Sequence, residues 1–267
     1  IILIVALLLE KNKVIISRIT ASLILAVLLI GPGHYQDGGD EKLKITVIQP
    51  LTTNMERIIN MTNEAESDLV IWPEAVTKFD KTVSKLVPKK VVIGGFFRQE
   101  NTNVYTSAIN LKTGHHYDKR NLVPFGEFQP FGSLLKSINN FFNIPNSSLS
   151  RGSFYQTKAD WSALICWELV FNETFTRRVR GTKYIVHMSN DKWYGSSMPA
   201  QHLKHAKARA VESNKWVVRA TLDGISQIIS PRSNESSVIL ERGEMGSITH
   251  EITLNYCLLY TSDAADE

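Results

Sequence analysis

Residues 161–188 read WSALICWELVFNETFTRRVRGTKYIVHM. The stretch opens with an apolar run, Trp161–Cys166, which predicts a buried strand. The residues that follow predict a helix over Phe171–Arg180, and Lys183–Met188 predicts a second strand. Strands that alternate with helices in this way indicate an α/β protein.

The alternation extends in both directions along the chain. The further predicted elements are strands Leu43–Ile48, Asp68–Trp72, Val91–Phe97, Val104–Leu111, Trp216–Ala220, Ile225–Ser230, Ser236–Leu240 and Ser247–Leu254, and helices Asn54–Ser67 and Pro199–Asn214. Asn54 is a suitable N-cap for the first of these helices. The last strands follow one another without helices, so we expect an α/β layered sandwich with a mixed sheet. The long segment His115–Arg151 is rich in Gly, Pro, Asn and Phe and is predicted to be irregular.

Two apolar runs precede this pattern. Ile1–Leu9 is unbroken, but nine helical residues cover only ~14 Å of a hydrocarbon core about 30 Å thick. We therefore expect this run to be the end of a membrane helix whose beginning is absent. Val14–Ile30 is long enough to cross a bilayer if Arg18 reaches the interface. A buried core helix and the apolar part of a signal peptide are the alternatives for this second run.

Charged residues beside the second run predict its orientation. Lys11, Lys13 and Arg18 lie at its first end, and its other end meets Asp37 and Asp40. Because basic residues remain in the cytoplasm, the rest of the chain is expected on the extracytoplasmic side. The predicted organisation is a partial transmembrane region of two helices (1–33), a linker (34–42), a catalytic domain (43–254) and a non-native tail (255–267).

The overall composition is that of an ordinary globular protein. The 267 residues are 43% hydrophobic and 21% charged, with a formal net charge of +4. Lysine and arginine form no stripe with interleaved aromatic residues, so a nucleic-acid partner is not expected. The two cysteines, Cys166 and Cys257, are too few for a disulfide framework, and we expect Cys166 to be a free thiol.

Three residues with reactive side chains stand at or near the ends of predicted strands: Glu74, Lys119 and Cys166. Each has an ordinary interpretation, as a surface carboxylate, a solvated charge and a core thiol respectively. Together they meet a requirement of thiol chemistry, because a thiol becomes an effective nucleophile only with a base and a nearby cation. Glu74 can be the base and Lys119 the cation. No His lies in the three segments, which argues against a Cys/His pair.

The motifs around these residues resemble those of a known family. They are Trp-Pro-Glu at 72–74, Pro-Phe-Gly-Glu-Phe at 124–128 after Lys119, Cys-Trp-Glu at 166–168, Ser-Asn-Asp-Lys-Trp-Tyr-Gly at 189–195, Gln-His at 201–202, Arg-Ala at 209–210 and Arg-Ala-Thr at 219–221. In order and spacing they resemble the Glu–Lys–Cys triad of the nitrilase (carbon–nitrogen hydrolase) superfamily, and more closely the apolipoprotein N-acyltransferase family. The resemblance runs from about Leu43 to about Leu254 and implies a nitrilase-like αββα sandwich. Trp167 departs from it, because that family usually has Tyr after the nucleophile.

The resemblance also implies a reaction, an acyl transfer through a thioester on Cys166. Glu74 would take the thiol proton, while Lys119 and the backbone N–H after Cys166 would stabilise the oxyanion. The implied partners are a phospholipid acyl donor, a diacylated lipoprotein whose N-terminal diacylglyceryl-cysteine accepts the chain, and the membrane itself; no cofactor is implied. The implied location is the bacterial inner (plasma) membrane, with the catalytic domain facing the periplasm.

Five more residues receive expected roles. Glu127 is expected to orient Lys119, and Glu168 to support the site beside the nucleophile. Trp167, Asn190 and Trp193 are expected to contact substrate, although for the last two a packing role is equally open.

Other chemistries compete with this hypothesis. His202 and His205 have helical spacing but no third ligand nearby in sequence, so no metal is expected. A membrane-anchored amidase or nitrilase that hydrolyses a C–N bond would use the same three residues. A non-enzymatic anchored binding domain, in which Cys166 is only part of the core, is the more distant alternative.

Overall fold

The computed structural model describes Thr20, Ser22 and residues 41–129, 149–232 and 235–254. The backbone divides into two compact units, Ile1–Asp37 and Gly38–Glu267, and every strand and helix named below belongs to the second. Within the described residues, eleven strands form two sheets, one of seven strands and one of four.

The larger sheet is mixed. Its strands are β1 (Lys42–Gln49), β2 (Leu69–Ile71), β3 (Thr77–Lys78), β4 (Val91–Glu100), β5 (Asn103–Asn110), β6 (His116–Asp118) and β11 (Gly246–Thr253). They lie in the order β11-β1-β2-β4-β5-β6, with β3 paired to β4. β1, β2 and β4 are parallel, β11 is antiparallel to β1, and β5 is antiparallel to both β4 and β6. β2, β4 and β6 therefore run in the same direction.

The smaller sheet comes from the second half of the chain, whereas the helices come from both halves. Its strands are β7 (Trp161–Ile165), β8 (Tyr184–Ser189), β9 (Val217–Thr221) and β10 (Gln227–Ile229), in the order β10-β9-β8-β7. β7, β8 and β9 are parallel, and β10 is antiparallel to β9. The helices are α1 (Met55–Glu64), α2 (Val83–Leu86), α3 (Asn172–Val179) and α4 (Ser197–Ser213), with 3-10 helices at Cys166–Val170 and Asp191–Trp193.

The strands bury both of their faces, and this produces four layers. In β7, Ala163 and Ile165 belong to the core between the two sheets, whereas Leu164 belongs to a cluster with residues of α3 and α4. In β2, Val70 packs in a third cluster with Ile58 of α1. Successive side chains of a strand point to opposite faces, so each sheet contacts the other sheet on one face and helices on the other. The αββα arrangement expected from the resemblance is confirmed.

Most predicted elements are confirmed within one to three residues at each end. The predicted cap of α1 is also observed, since the Asn54 side chain accepts a hydrogen bond of 3.1 Å from the Arg57 N–H. The prediction of irregular structure throughout His115–Arg151 was wrong, because β6 lies inside this segment. Three residues are too few to show an alternating pattern, and β6 is stabilised by pairing with β5, a contact the local sequence does not encode.

The predicted strand Ser236–Leu240 was also wrong. Its backbone pairs with β10 at one point only, where the Ser237 N–H donates to the Ile228 carbonyl. The return bond from the Ile228 N–H goes to the Ser237 hydroxyl instead of a carbonyl, which interrupts the ladder. Leu240 then forms an isolated bridge with Ser226.

Among the described residues, no helix is long and apolar enough to cross a membrane. The predicted membrane runs, Ile1–Leu9 and Val14–Ile30, lie outside the described residues apart from Thr20 and Ser22. The predicted tail, residues 255–267, lies outside them as well.

Candidate active site

Glu74 follows β2 in a turn packed tightly against β4. The turn needs a residue with positive φ directly after Glu74, and Ala75 adopts a φ of 53°. Gly95 of β4 makes the close approach possible, because a Cβ there would lie 2.5 Å from the Pro73 carbonyl oxygen. The Gly95 N–H donates to that oxygen, and the Gly95 carbonyl accepts from the Val76 N–H. The carboxylate of Glu74 is thereby held at the carboxyl end of β2, where ligands collect in α/β sheets.

Lys119 follows β6 and is fully buried. Its backbone is held on both sides, since its N–H donates to the Thr106 carbonyl and its own carbonyl accepts from the Gly152 N–H. Its ammonium nitrogen lies 3.1 Å from Glu74 Oε1 and 2.7 Å from Glu127 Oε1. One buried cation therefore contacts two carboxylates, as buried charges require.

Cys166 follows β7, which ends one residue earlier than the predicted strand Trp161–Cys166. It begins a 3-10 helix with a φ of 56°, in the left-handed region that residues other than glycine rarely adopt. Such a turn at a strand end is typical of nucleophiles and of other strained functional residues. Its side chain is free of disulfides and buried, and its sulfur lies 3.8 Å from the Tyr194 hydroxyl.

The charges of Glu74 and Lys119 shift the pKa of the Cys166 thiol in opposite directions. Burial and the Glu74 carboxylate raise the pKa of Cys166 to about 12, although the Lys119 ammonium lowers it. Burial also raises the pKa of Glu74, against the lowering effect of Lys119. The thiol is therefore protonated at neutral pH, and it needs a proton acceptor at the moment of attack.

Lys119 keeps its charge in this site. Burial alone would lower its pKa, but the charges of Glu74 and Glu127 hold the pKa well above the usual value of a lysine. Glu127 is positioned by its own loop, because its second oxygen accepts a 2.8 Å hydrogen bond from the Val123 N–H. The structure thus brings Lys119 into direct contact with Glu74 and Glu127, and the charges of Glu74 and Lys119 act on the Cys166 thiol.

Glu168 is fully buried and joins two segments of backbone. One of its oxygens accepts hydrogen bonds from the Tyr117 hydroxyl and from the N–H groups of Arg120 and Asn121, at 2.8–3.0 Å. The other accepts from the Ile165 N–H at 2.9 Å. The side chain therefore ties the loop after β6 to the end of β7, which places Lys119 and Cys166 relative to each other.

The three predicted substrate contacts differ in their surroundings. Trp167 is half-buried, donates its indole N–H to the Asn121 carbonyl at 2.7 Å and packs edge-on against Phe171. Asn190 reaches the site through its backbone, since its N–H donates to Glu74 Oε2 at 3.0 Å. Trp193 ends the second 3-10 helix, and its side chain lies outside the described part of the structure.

A second buried polar network adjoins Cys166, and its roles were not foreseen from the sequence. It consists of His187, Ser189, Asp191, His202 and Arg219. The motifs at 189–195, 201–202 and 219–221 contain Ser189, Asp191, His202 and Arg219, so the sequence did mark these residues. The motifs did not indicate the hydrogen bonds between them, because those bonds join residues of β8, α4 and β9 that are distant in sequence.

Metal ligation has no visible basis in the described residues, where no group of three or more His, Cys, Asp or Glu side chains has a geometry suited to an ion. His202 instead lies 2.9 Å from Asp191 Oδ1 through its Nδ1 atom.

Comparison with known sequences gives one family and a consistent set of relatives. The sequence pattern of the carbon-nitrogen hydrolase family matches residues 89–260. An apolipoprotein N-acyltransferase of Vibrio parahaemolyticus is 31% identical over 222 residues, which cover 72% of this chain and 44% of that protein. One of Pasteurella multocida is 38% identical over 157 residues, which cover 56% of this chain and 28% of that protein. The chain spans less than half the length of these relatives.

Solved structures share the fold at low sequence identity. A carbon-nitrogen hydrolase superfamily protein of Xanthomonas campestris, with an arsenic adduct in its active site, matches with a TM-score of 0.60 at 16% identity, over 79% of this chain and 91% of that one. Nit3 of Saccharomyces cerevisiae, a member of the nitrilase superfamily, matches with a TM-score of 0.59 at 17% identity, over 80% and 90% of the two chains. The family pattern covers more than half of the residues and the fold agrees with it, so the chain belongs to the carbon-nitrogen hydrolase family.

Proposed function

We propose that this chain is the catalytic part of a thiol acyltransferase that moves an acyl chain from a phospholipid, through a thioester on Cys166, to the N-terminal amine of a diacylated apolipoprotein. The observation that carries the proposal is the buried ion pair of Lys119 with Glu74, because the charges of both residues act on the Cys166 thiol. A carboxylate base, a cation and a protonated thiol are the groups that nucleophilic attack on an ester requires.

The first half-reaction acylates the enzyme. Glu74 accepts the thiol proton as the sulfur of Cys166 attacks the ester carbonyl, and a C–S bond forms. The oxyanion that develops is stabilised by the Lys119 ammonium and by the N–H of Trp167, each donor contributing about 10²–10³ in rate. The ester C–O bond then breaks, and the departing lysophospholipid oxygen takes the proton from Glu74.

The second half-reaction releases the product. The α-amine of diacylglyceryl-cysteine attacks the thioester carbonyl, forms an amide bond and gives a proton to Glu74. The C–S bond breaks, and the sulfur of Cys166 recovers its proton from Glu74. Water in place of the amine would make the enzyme a lipase, so exclusion of water from the buried thioester is part of the proposal.

The substrates are supported by the relatives and not by the geometry. The relatives are named apolipoprotein N-acyltransferases, and the name specifies an apolipoprotein acceptor. We further propose that residues 1–33 anchor the chain in the bacterial inner membrane and that 43–254 form the catalytic domain on the periplasmic side. Trp167 and the loop of Asn190 and Trp193 are proposed to contact the acyl donor.

The decisive experiment is intact-mass measurement after the protein is mixed with phosphatidylethanolamine vesicles. We expect one added acyl chain, removable by hydroxylamine as a thioester is, with release of one lysophospholipid. Cys166→Ser should abolish the thioester adduct. Cys257→Ser, the matched control at the second cysteine, should retain it.

The acceptor is tested in the same preparation. Addition of a diacylated lipopeptide should discharge the adduct and yield an N-acylated peptide. An enzyme that forms no adduct with vesicles but releases ammonia from a soluble amide would be an amidase instead. A protein that does neither would exclude the enzymatic proposals.

A further inference from the structure

The buried face of Cys166 carries a feature that the proposed mechanism does not use. The Cys166 carbonyl oxygen lies 2.8 Å from Nε2 of His187, a fully buried residue of β8. The other ring nitrogen of His187, Nδ1, lies 2.7 Å from Nη1 of Arg219 in β9. One imidazole ring therefore joins the backbone of the candidate nucleophile to an arginine in the neighbouring strand.

The protonation of this ring follows from the chemistry of its partners. A guanidinium has only donors, so Nδ1 of His187 must accept from Arg219 and carries no proton. The ring is then neutral with its proton on Nε2, and His187 donates to the Cys166 carbonyl. Burial and the charge of Arg219 hold the pKa of His187 well below its ordinary value, in agreement with a neutral ring.

Arg219 is itself fixed in place. Its Nη2 donates to Asp191 Oδ2 at 2.6 Å and its Nε donates to the Ile225 carbonyl at 2.8 Å. The other oxygen of Asp191 accepts from the Ser189 hydroxyl and lies 2.9 Å from Nδ1 of His202. The position of the His187 ring is thus determined by a network of charged groups with little freedom to move.

The hydrogen bond from His187 acts on an unusual piece of backbone. Cys166 has a φ of 56°, and its peptide bond to Trp167 is trans. A trans peptide is planar, with its carbonyl and its N–H on opposite sides. When His187 fixes the direction of the Cys166 carbonyl, it also fixes the direction of the Trp167 N–H.

We propose that His187 is a positioning residue: by donating to the Cys166 carbonyl, it holds the Trp167 N–H in the direction of the oxyanion formed when Cys166 attacks an acyl carbonyl. Arg219 and Asp191 act through it by fixing the ring. The inference rests on the proposed acyl-enzyme chemistry of Cys166, and it adds a histidine that touches neither substrate nor the reacting sulfur.

The test compares two reactions of the same thiol in the intact protein. Acylation by p-nitrophenyl butyrate passes through a tetrahedral oxyanion, whereas alkylation by iodoacetamide does not. His187→Asn keeps an acceptor for Arg219 but is too short to reach the Cys166 carbonyl. His187→Gln can accept from Arg219 and also reach that carbonyl, so it is the matched rescue variant. Both rates are measured in single turnover by intact mass, at one pH for all variants.

We expect His187→Asn to lower the acylation rate about 10²-fold, the effect of one misdirected oxyanion donor, while alkylation changes less than about threefold. His187→Gln should recover most of the acylation rate. Equal losses in the two reactions would overturn the inference, because they would show that His187 only maintains the fold around the thiol. Unchanged acylation in His187→Asn would overturn it as well.

If His187→Asn does not fold, His187→Leu, which removes both ring nitrogens, replaces it with the same expected ratio of acylation and alkylation rates.

Two further results separate this inference from the proposed function. A wild-type protein that is alkylated but never acylated would reject the proposed function itself. An acylated wild type with insensitive His187 variants would reject only the positioning role.

Discussion

Two groups of buried charged side chains adjoin Cys166, and they differ in their balance of positive and negative charge. In the first, Lys119 contacts two carboxylates, Glu74 and Glu127, so negative charge exceeds positive charge. In the second, Arg219 pairs with one carboxylate, Asp191, and both side chains are completely excluded from solvent. One group has a surplus carboxylate, and the other is balanced.

The difference appears in the protonation of the carboxylates. Burial and the nearby Glu127 raise the pKa of Glu74, which makes proton uptake easy. The pKa of Asp191 moves the other way, since hydrogen bonding from His202 and the charge of Arg219 overcome its burial and hold it well below the usual range. Asp191 therefore keeps one protonation state. The comparison supports the proposal that the Glu74 group transfers protons, and it indicates that the Asp191 group provides rigidity.

The largest effect is expected from Lys119→Met, which removes the cation from the first group. Acylation of Cys166 should fall by about 10³-fold, because an oxyanion donor is lost and the pKa of the thiol rises further. Single-turnover acylation followed by intact mass measures this loss. The exposed Lys112→Met is the control and should leave the rate unchanged. A loss smaller than tenfold would show that the ammonium is only a counterion for the two glutamates.

The contrast between the groups is tested by Glu74→Gln and Asp191→Asn. At pH 7, Asp191→Asn should reduce the free energy of unfolding by about 3–5 kcal/mol, because it breaks a buried pair and leaves Arg219 without its counterion. Glu74→Gln should change it by less than about 1 kcal/mol, because burial of that charge is unfavourable in the wild type. Glu74→Gln should nevertheless lower acylation by about 10²-fold. Denaturant unfolding and acylation rates measure the two effects.

The same variants should respond to pH with opposite sign. The folded pKa of Asp191 is depressed, so its contribution to stability is fully present above an unfolded pKa of about 4 and is lost progressively as the pH falls below that value towards the folded pKa. The folded pKa of Glu74 is raised, so its ionisation weakens the fold as the pH rises above about 4. The loss of unfolding free energy caused by Asp191→Asn should therefore become smaller as the pH falls. The unfolding free energy of Glu74→Gln, relative to that of the wild type, should increase as the pH rises. Parallel pH profiles would contradict the division between the two groups.

The smallest effect is expected from Tyr194→Phe. The Tyr194 hydroxyl lies 3.8 Å from the Cys166 sulfur, and a hydrogen bond of this kind contributes roughly 0.5–1 kcal/mol. Acylation should fall about two- to fivefold, which single-turnover rates resolve. Tyr155→Phe, at an exposed tyrosine, is the control. A hundredfold loss would instead make Tyr194 a main donor to the thiolate and add it to the first group.

Local hydrophobic patterns in the sequence predicted the layered fold and the positions of most candidate site residues along the chain. β7, α3 and β8 lie close to their predicted bounds, since apolar runs and helical segments report burial locally. Glu74 and Cys166 follow strands that were predicted, β2 and β7, whereas β6, the strand before Lys119, was not predicted. The catalytic roles of these three residues remain the prediction that the acyl adduct will test.

Local sequence patterns could not predict contacts between segments that are distant in the chain. Glu168 was expected beside the pocket, yet its carboxylate is occupied by backbone N–H groups from two segments. Asn190 was expected to contact substrate or to pack, and no contact with Glu74 was predicted, but its backbone N–H donates to Glu74. Both outcomes depend on how loops after different strands meet, which no local period encodes.

Strand and helix periods thus indicated which residues are buried and where the sheets end, because burial of alternate side chains leaves its mark within a few neighbouring positions. The left-handed turn at Cys166, the bond from His187 to its carbonyl and the pairing of Arg219 with Asp191 were decided only when the sheets packed together. The physical reason is that hydrogen bonds and ion pairs between buried groups depend on distances in space, and residues from β7, β8 and β9 become neighbours only through the parallel register of those strands.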